Sequence, residues 1–273
     1  MGAADIVPGV SGGTMAFILG IYEELIDSIH AVGRKTFWSS LVRGKVFAAY
    51  RAVNGNFLVA VGAGIALAIL TLSHGLEFML HEYPLVIWSF FFGLVLASAV
   101  VVAKRITTWK TSLPIAIIIG ALVGYSIVGL VPVQTPDTPW FLVFSGAIAI
   151  CAMILPGISG SFLLVLLGKY GFVLRAVNKR DVVSIGYVGL GAAVGIVIFS
   201  QFLSWLLHRY YDLTIAFLTG LMVGSLRKIW PWKMGELNIC PRIDSQELLI
   251  GLGCMIAGLI IVIALDKLAS KKS

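Results

Sequence analysis

The sequence predicts an all-α polytopic membrane protein, built as an inverted repeat with two re-entrant helical hairpins that carry PGxSG motifs. Composition is the first observation behind this. Of the 273 residues, 59% are hydrophobic and 12% charged. Apolar runs near the roughly 20 residues that a helix needs to cross a bilayer recur along the whole chain. The second observation is a break that occurs twice, as Pro8-Gly9-Val10-Ser11-Gly12-Gly13-Thr14 and as Pro156-Gly157-Ile158-Ser159-Gly160-Ser161. Proline removes a backbone donor, and glycine tolerates angles that other residues avoid. In lipid such a run leaves backbone groups unpaired unless protein or water meets them. The third observation is a series of ordered matches between two halves, 1–133 and 139–273, within a single membrane domain 1–273.

Residues 4–29 hold the first motif and then an apolar run, 15–22, that closes in Glu23, Glu24 and Asp27. Segment 31–56 is basic through Arg34, Lys35, Arg43, Lys45 and Arg51. Phe37, Trp38, Leu41, Val42, Val46 and Phe47 interleave with those charges at near-helical spacing, which predicts one amphipathic helix on the cytoplasmic surface. Spans are predicted over 57–80, 85–103 and 113–133. A loop without Lys or Arg, 132–139, separates the halves. In the second half, 140–155 runs into the second motif and 162–177 leaves it as one apolar leg. Spans follow over 182–207, 213–226 and 248–265, ahead of a basic tail with Lys267, Lys271 and Lys272.

The repeat is legible beyond the motif. Tyr22 and Tyr170 each stand fourteen residues after the motif proline and two after a glycine, Gly20 or Gly168. His81-Glu82-Tyr83 matches His208-Arg209-Tyr210, and 93–98 matches 220–225. The offset between copies falls from 148 to 127 residues, because only the first half has the 31–56 insert. Two rules compete over topology. If each motif segment is a hairpin that returns to its own side, the repeats are inverted and twelve of the twenty Lys and Arg lie inside. If each crosses once, the repeats are parallel and sixteen lie inside, which the positive-inside rule prefers. Length decides for hairpins: 140–177 is 38 residues, twice one crossing. The outer cations Lys179, Arg180, Arg227 and Lys228 are then expected to attract an anionic head group. Only residues 1–7 precede the first motif, so the first hairpin is expected to lack its incoming leg, the chain being truncated or its start placed late.

After each break a helix starts at small or hydroxyl residues. A helix start offers unpaired N–H groups and the positive end of the helix dipole, which suits a phosphate or carboxylate. Interrupted segments in matching positions of two halves are where membrane carriers hold substrate. The expected substrate-binding set is therefore Ser11, Gly12, Gly13, Thr14, Ser159, Gly160 and Ser161, with Arg227 and Lys228 from the run ending Trp230-Pro231-Trp232-Lys233. The plainer readings stay open: small residues that let helices pack closely, and an interfacial aromatic belt with its topology charges. Asp5 is expected to carry a coupling proton or to cap the break, and Glu23 shares that expectation. His81 and His208 are expected at span ends in interfacial roles. The three cysteines have no paired spacing, and neither a metal site nor a cofactor is expected. The net charge of +7 speaks for topology and anionic lipid, and not for nucleic acid.

Ala4-Asp5-Ile6-Val7-Pro8-Gly9-Val10-Ser11-Gly12-Gly13-Thr14 with Gly20-Ile21-Tyr22-Glu23 resembles the bacterial polyprenyl-phosphate transporter family, long known as a domain of unknown function. Leu155 to Ser161 and the run from Gly224 to Trp232 match it too, so the resemblance covers nearly the whole chain. It implies two re-entrant hairpins and a carrier in the bacterial inner membrane. Its cargo would be undecaprenyl phosphate, returned from the outer to the inner leaflet, with membrane lipids as partners and a homo-oligomer left open. Two alternatives stand beside it. A membrane polyprenyl-pyrophosphate phosphatase uses a similar Pro-Gly-x-Ser motif, but follows the serine with arginine and adds glutamates; here Gly12 and Gly160 follow the serines. A carrier for a small soluble anion is the other.

Overall fold

Every long apolar run becomes helix, because a backbone in lipid can pair its polar groups only within itself. The computed structural model describes residues 1–6, 10–235, 237–241 and 246–270. The first half contains α1 (Gly2–Ile6), α2 (Gly12–Ile18), α3 (Tyr22–Val32), α4 (Lys35–Val42), α5 (Val46–Ala52), α6 (Gly55–Glu82), α7 (Pro84–Ala103) and α8 (Ser112–Val128). The second contains α9 (Pro139–Ile154), α10 (Gly160–Leu166), α11 (Tyr170–Asn178), α12 (Val182–Arg209), α13 (Tyr211–Ser225) and α14 (Gln246–Ser270). A short antiparallel pair, β1 (Lys233–Met234) and β2 (Leu237–Asn238), precedes α14. Pro8 and Gly9 of the first motif lie outside the described residues. The chain is an all-α polytopic membrane protein: α6, α7, α12 and α14 are long and apolar enough to cross a bilayer, and α8, α9 and α13 are shorter apolar helices.

Two expected helices are broken. The leg expected over 162–177 divides into α10 and α11, which meet at 105°. The cause is Gly168, at φ +66°. Its N–H donates to Val165 O and that of Lys169 to Leu164 O, which closes α10 in a left-handed cap. Gly20, at φ +73°, ends α2 with the same pair of bonds, to Phe17 O and from Ile21 to Ala16 O. Segment 31–56 is likewise two helices, α4 and α5, parted by Gly44 at φ +69°. The described part of the N-terminal leg is a five-residue helix, α1, that rests on α6 as α9 rests on α12.

The second motif segment is a hairpin. The start of α10 lies against Ala149 of α9, and its end returns to the residues that precede α9. There Val133 N–H donates to Leu166 O, and Thr135 Oγ1 donates to Leu167 O. So α10 runs back alongside α9 to the face from which α9 set out.

Long helices pair across the halves. α7 lies parallel to α14, with Gly93 against Met255 and Gly258 between Phe90 and Leu94. α13 lies parallel to α8 by the corresponding contacts, Gly220 against Ile117 and Gly120 between Phe217 and Leu221. A Cβ at any of the four would stand 2.1–2.3 Å from a backbone oxygen, so glycine sets how near these helices come. With α6, α7 and α8 as three crossings, the two motif segments open from opposite faces. The division at 1–133 and 139–273 is a proposal that this exchange of equivalent contacts supports. Several cations on the face to which the second hairpin opens are engaged by the fold: Lys169 is buried, and Lys228 and Lys233 lie over aromatic rings.

Candidate functional site

The described part of the first motif, Val10 to Thr14, meets the second break in the protein interior. After α9, Leu155 is extended, Gly157 turns at φ +86°, and Ser159 caps α10 in an extended conformation. Such a turn exposes carbonyls and an N–H that lipid cannot pair. The first motif supplies the partners. Ser11 Oγ shares its proton between Met153 O at 3.1 Å and Leu155 O at 3.0 Å. Gly157 N–H donates to Thr14 Oγ1 at 3.1 Å, and Tyr22 OH donates to Ile154 O at 3.3 Å. The approach is close enough that a Cβ on Gly13 would stand 2.4 Å from Ile154 O.

The start of α2 is satisfied from within the chain. Gly12 N–H donates to Asp5 Oδ1 at 2.7 Å, and Gly13 N–H donates to Ser11 Oγ at 3.1 Å. The geometry is that of a cap, with a carboxylate standing where an anion would bind. Ser159 and Ser161 pair their hydroxyls at 2.7 Å. Ser11, Thr14 and Ser159 are at most 5% exposed. The motif residues are thus brought together, but in a closed arrangement. Glu23 lies elsewhere, in the first turn of α3, where Tyr211 OH donates to it at 3.0 Å.

Arg227 and Lys228 lie in a cleft of about 940 Å³ that opens on the face from which the second hairpin enters. Its walls come from the end of α8, from α10, from the segment after α13 and from the β1–β2 pair. Arg227 Cζ stands 4.2 Å from the centre of the Tyr125 ring, and Lys228 Nζ 4.9 Å from that of Phe162. Lys233 also lines the cleft; its Nζ donates to Lys228 O and lies 4.7 Å from the Trp88 ring. Asn238 Nδ2 holds Arg227 O at 2.9 Å. None of the described residues lining the cleft is acidic. Cations held over aromatic faces keep their charge while shedding part of their water, which suits a phosphate. The apolar walls (Val128, Leu130, Val131, Val165 and Leu226 among them) suit an attached hydrocarbon.

Cleft and motif adjoin through α10 and α13. Gly157 rests against Met222 and Ser225 at the end of α13, from which Arg227 and Lys228 follow. Phe162 and Val165, in the first two turns of α10, form a cleft wall. The reading of the sequence missed Tyr125, Phe162, Asn238 and Lys233 as site residues. Lys233 was legible as the last cation of its run, but Tyr125 lies inside an apolar span and is marked only by the pairing of α8 with α13. Among the described residues, the equivalent place in the first half carries no cations. α7 stays helical through Ala103, so Val100 and Val101 stand where Arg227 and Lys228 stand in the repeat. Arg105 is engaged instead, donating to Phe17 O at the end of α2 at 2.8 Å. His208 lies at the end of α12, its Nδ1 2.8 Å from Ser204 O, beside Asp27. Cys151, Cys240 and Cys254 are all free. Among the described residues, no cluster of three metal-ligating side chains occurs.

The sequence pattern of a family described as Undecaprenyl phosphate translocase-like matches residues 1–246. The chain is 42% identical to a protein of Vibrio cholerae serotype O1 named Polyprenyl-phosphate transporter, over 99% of this chain and 94% of that one. It is 31% identical to a protein of the same name from Staphylococcus aureus, over 85% of this chain and 83% of that one. No solved structure matches.

Proposed function

Because the chain belongs to the undecaprenyl phosphate translocase-like family, we propose that it is a transporter of polyprenyl phosphate, and of undecaprenyl phosphate in particular. It takes the phosphate at the cationic cleft and delivers it to the opposite leaflet. The observation that carries this reading is the cleft at the mouth of one hairpin, which holds Arg227, Lys228 and Lys233 and no acid among the described residues. A bare phosphate cannot enter hydrocarbon unaided, since an isolated buried charge costs tens of kcal/mol before compensation. The cleft offers charge and donors to the head group while its apolar walls meet the prenyl tail.

The cleft with its three cations lies on one face, and the basic 31–56 segment lies on the other. By the positive-inside rule that segment is cytoplasmic. Pickup is then from the outer leaflet of the cytoplasmic membrane and release is to the inner one. The hydrogen bonds between Ser11, Thr14 and the second break are the closed state of the path. Passage requires the two hairpins to part, and then their hydroxyls and amides are free to follow the phosphate. No covalent step is involved, so the protein is a carrier and not an enzyme. Asp5, seated at the start of α2, is the group that an arriving phosphate would displace.

The test is leaflet-resolved delivery of labelled undecaprenyl phosphate in vesicles. Arg227→Ala with Lys228→Ala should slow it about tenfold or more, as charge-assisted hydrogen bonds are worth about 1.5–3 kcal/mol each. Unchanged delivery would remove the cleft from the pathway. Release of inorganic phosphate by the purified protein would replace the carrier with a hydrolase, and competition by inorganic anions would replace the lipid with a soluble substrate.

A further inference from the structure

We propose that α4 and α5 form a docking surface for an anionic lipid leaflet, on the face opposite the cationic cleft. The inference needs only that the chain spans a membrane, and is independent of what it carries. Segment 31–56 has five cations and no acid. α4 buries none of its residues, and α5 buries only Ala49. Val42 is 85% exposed, and Val46 and Phe47 are 64% and 65% exposed. Trp38 and Leu41 are exposed as well. These side chains are large and apolar, and they stay exposed, with contacts only inside the segment, such as Trp38 edge-on to Phe37.

The segment is attached at its two ends. At its start Gly33 lies against Gln201 and Val197 of α12. At its end Asn54 Nδ2 donates to Glu24 at 2.8 Å, and Tyr50 OH donates to Asn56 at 2.9 Å. The second half passes from α11 to α12 through only a three-residue turn, so the repeat is complete without such an insert. The segment leads directly into α6, whose 28 residues run about 42 Å, longer than the roughly 30 Å hydrocarbon core. The stretch of α6 that is apolar enough to span begins at its first residue, Gly55, so α5 ends at the membrane boundary. At that depth an apolar face enters the acyl boundary, and cations meet lipid phosphates. Arg51, stacked over Phe47 at 4.3 Å, shows both parts in one pair. Charge complementarity selects the occupant: five cations, none in an ion pair among the described residues, fit an anionic leaflet better than a neutral one.

The test uses the full chain with Cys151, Cys240 and Cys254 replaced by Ala and a single Val42→Cys introduced. It is reconstituted in nanodiscs of phosphatidylcholine, alone or mixed with phosphatidylglycerol. Reaction with a water-soluble maleimide should be slower in the anionic discs by on the order of tenfold, and added salt should reverse the protection. Exchanging Arg34, Lys35, Arg43, Lys45 and Arg51 for Gln should abolish the difference between the two discs. Equal reactivity in both discs, whether fast or slow, would overturn the proposal. So would protection that appears only when a soluble protein fraction is added, which would assign the surface to a protein partner.

Discussion

Ser11 and Thr14 answer, at the scale of single residues, how a broken helix survives in lipid. Each places a hydroxyl on backbone groups that Pro156 and Gly157 leave open. Thr14→Val removes the acceptor of Gly157 N–H at almost constant volume. It should destabilise the protein by about 1–3 kcal/mol, the cost of a stranded buried donor, read as a lower midpoint of thermal unfolding in detergent. Gly13→Ala acts differently. Its methyl would meet Ile154 O, so the two tips must separate, at about 1–3 kcal/mol. If the closed state rests on this contact, the same substitution should raise the reactivity of a cysteine placed at Ser159. A protected cysteine would show that the tips hold by other means.

At the scale of elements, the second hairpin is fastened at its open end. Lys169, 1% exposed, donates to Thr135 O and pairs with Asp137, tying the loop before α9 to the bend between α10 and α11. The two partners differ, since the Asp137 side chain is 59% exposed. Asp137→Asn leaves a buried ammonium without its counter-charge, at about 3–5 kcal/mol. Lys169→Met leaves a carboxylate in water and should cost clearly less. Unfolding midpoints of the two variants test the order; a larger loss for Lys169→Met would refute the account. Chain order alone does not disclose this latch, because 32 residues separate its partners. The bends are a different matter. Gly20 and Gly168 were marked by their shared spacing to the motif, but only their left-handed backbone turns an apolar run into two helices.

At the scale of the whole molecule, near-equal halves carry unequal sites. Gly120 and Gly258 occupy equivalent contacts, so Gly120→Leu and Gly258→Leu should lower the unfolding midpoint by similar amounts. The cleft breaks that equivalence. Val100→Ala, at the place equivalent to Arg227, should leave delivery of labelled lipid unchanged while Arg227→Ala slows it. Equal effects of the two would mean that both faces bind the phosphate alike, and direction would need another source.

Much of this architecture follows from local chemistry. Apolar runs in lipid have to be helical, and Pro-Gly has to break them. Two matching breaks with 38 residues around the second imply hairpins. The cations after α13 are visible in the chain as a run. What the chain order could not settle was which groups complete each other. The hydroxyls of one motif pair with the backbone of the other across more than 140 residues. Tyr125 joins Arg227 only because α8 lies along α13. Asp5 occupies the helix start that an anion would otherwise take. Periodicity and composition report the solvent that each segment meets. Satisfaction of polar groups in a medium without water is decided between segments, and it is there that the closed centre and the one-sided cleft arise.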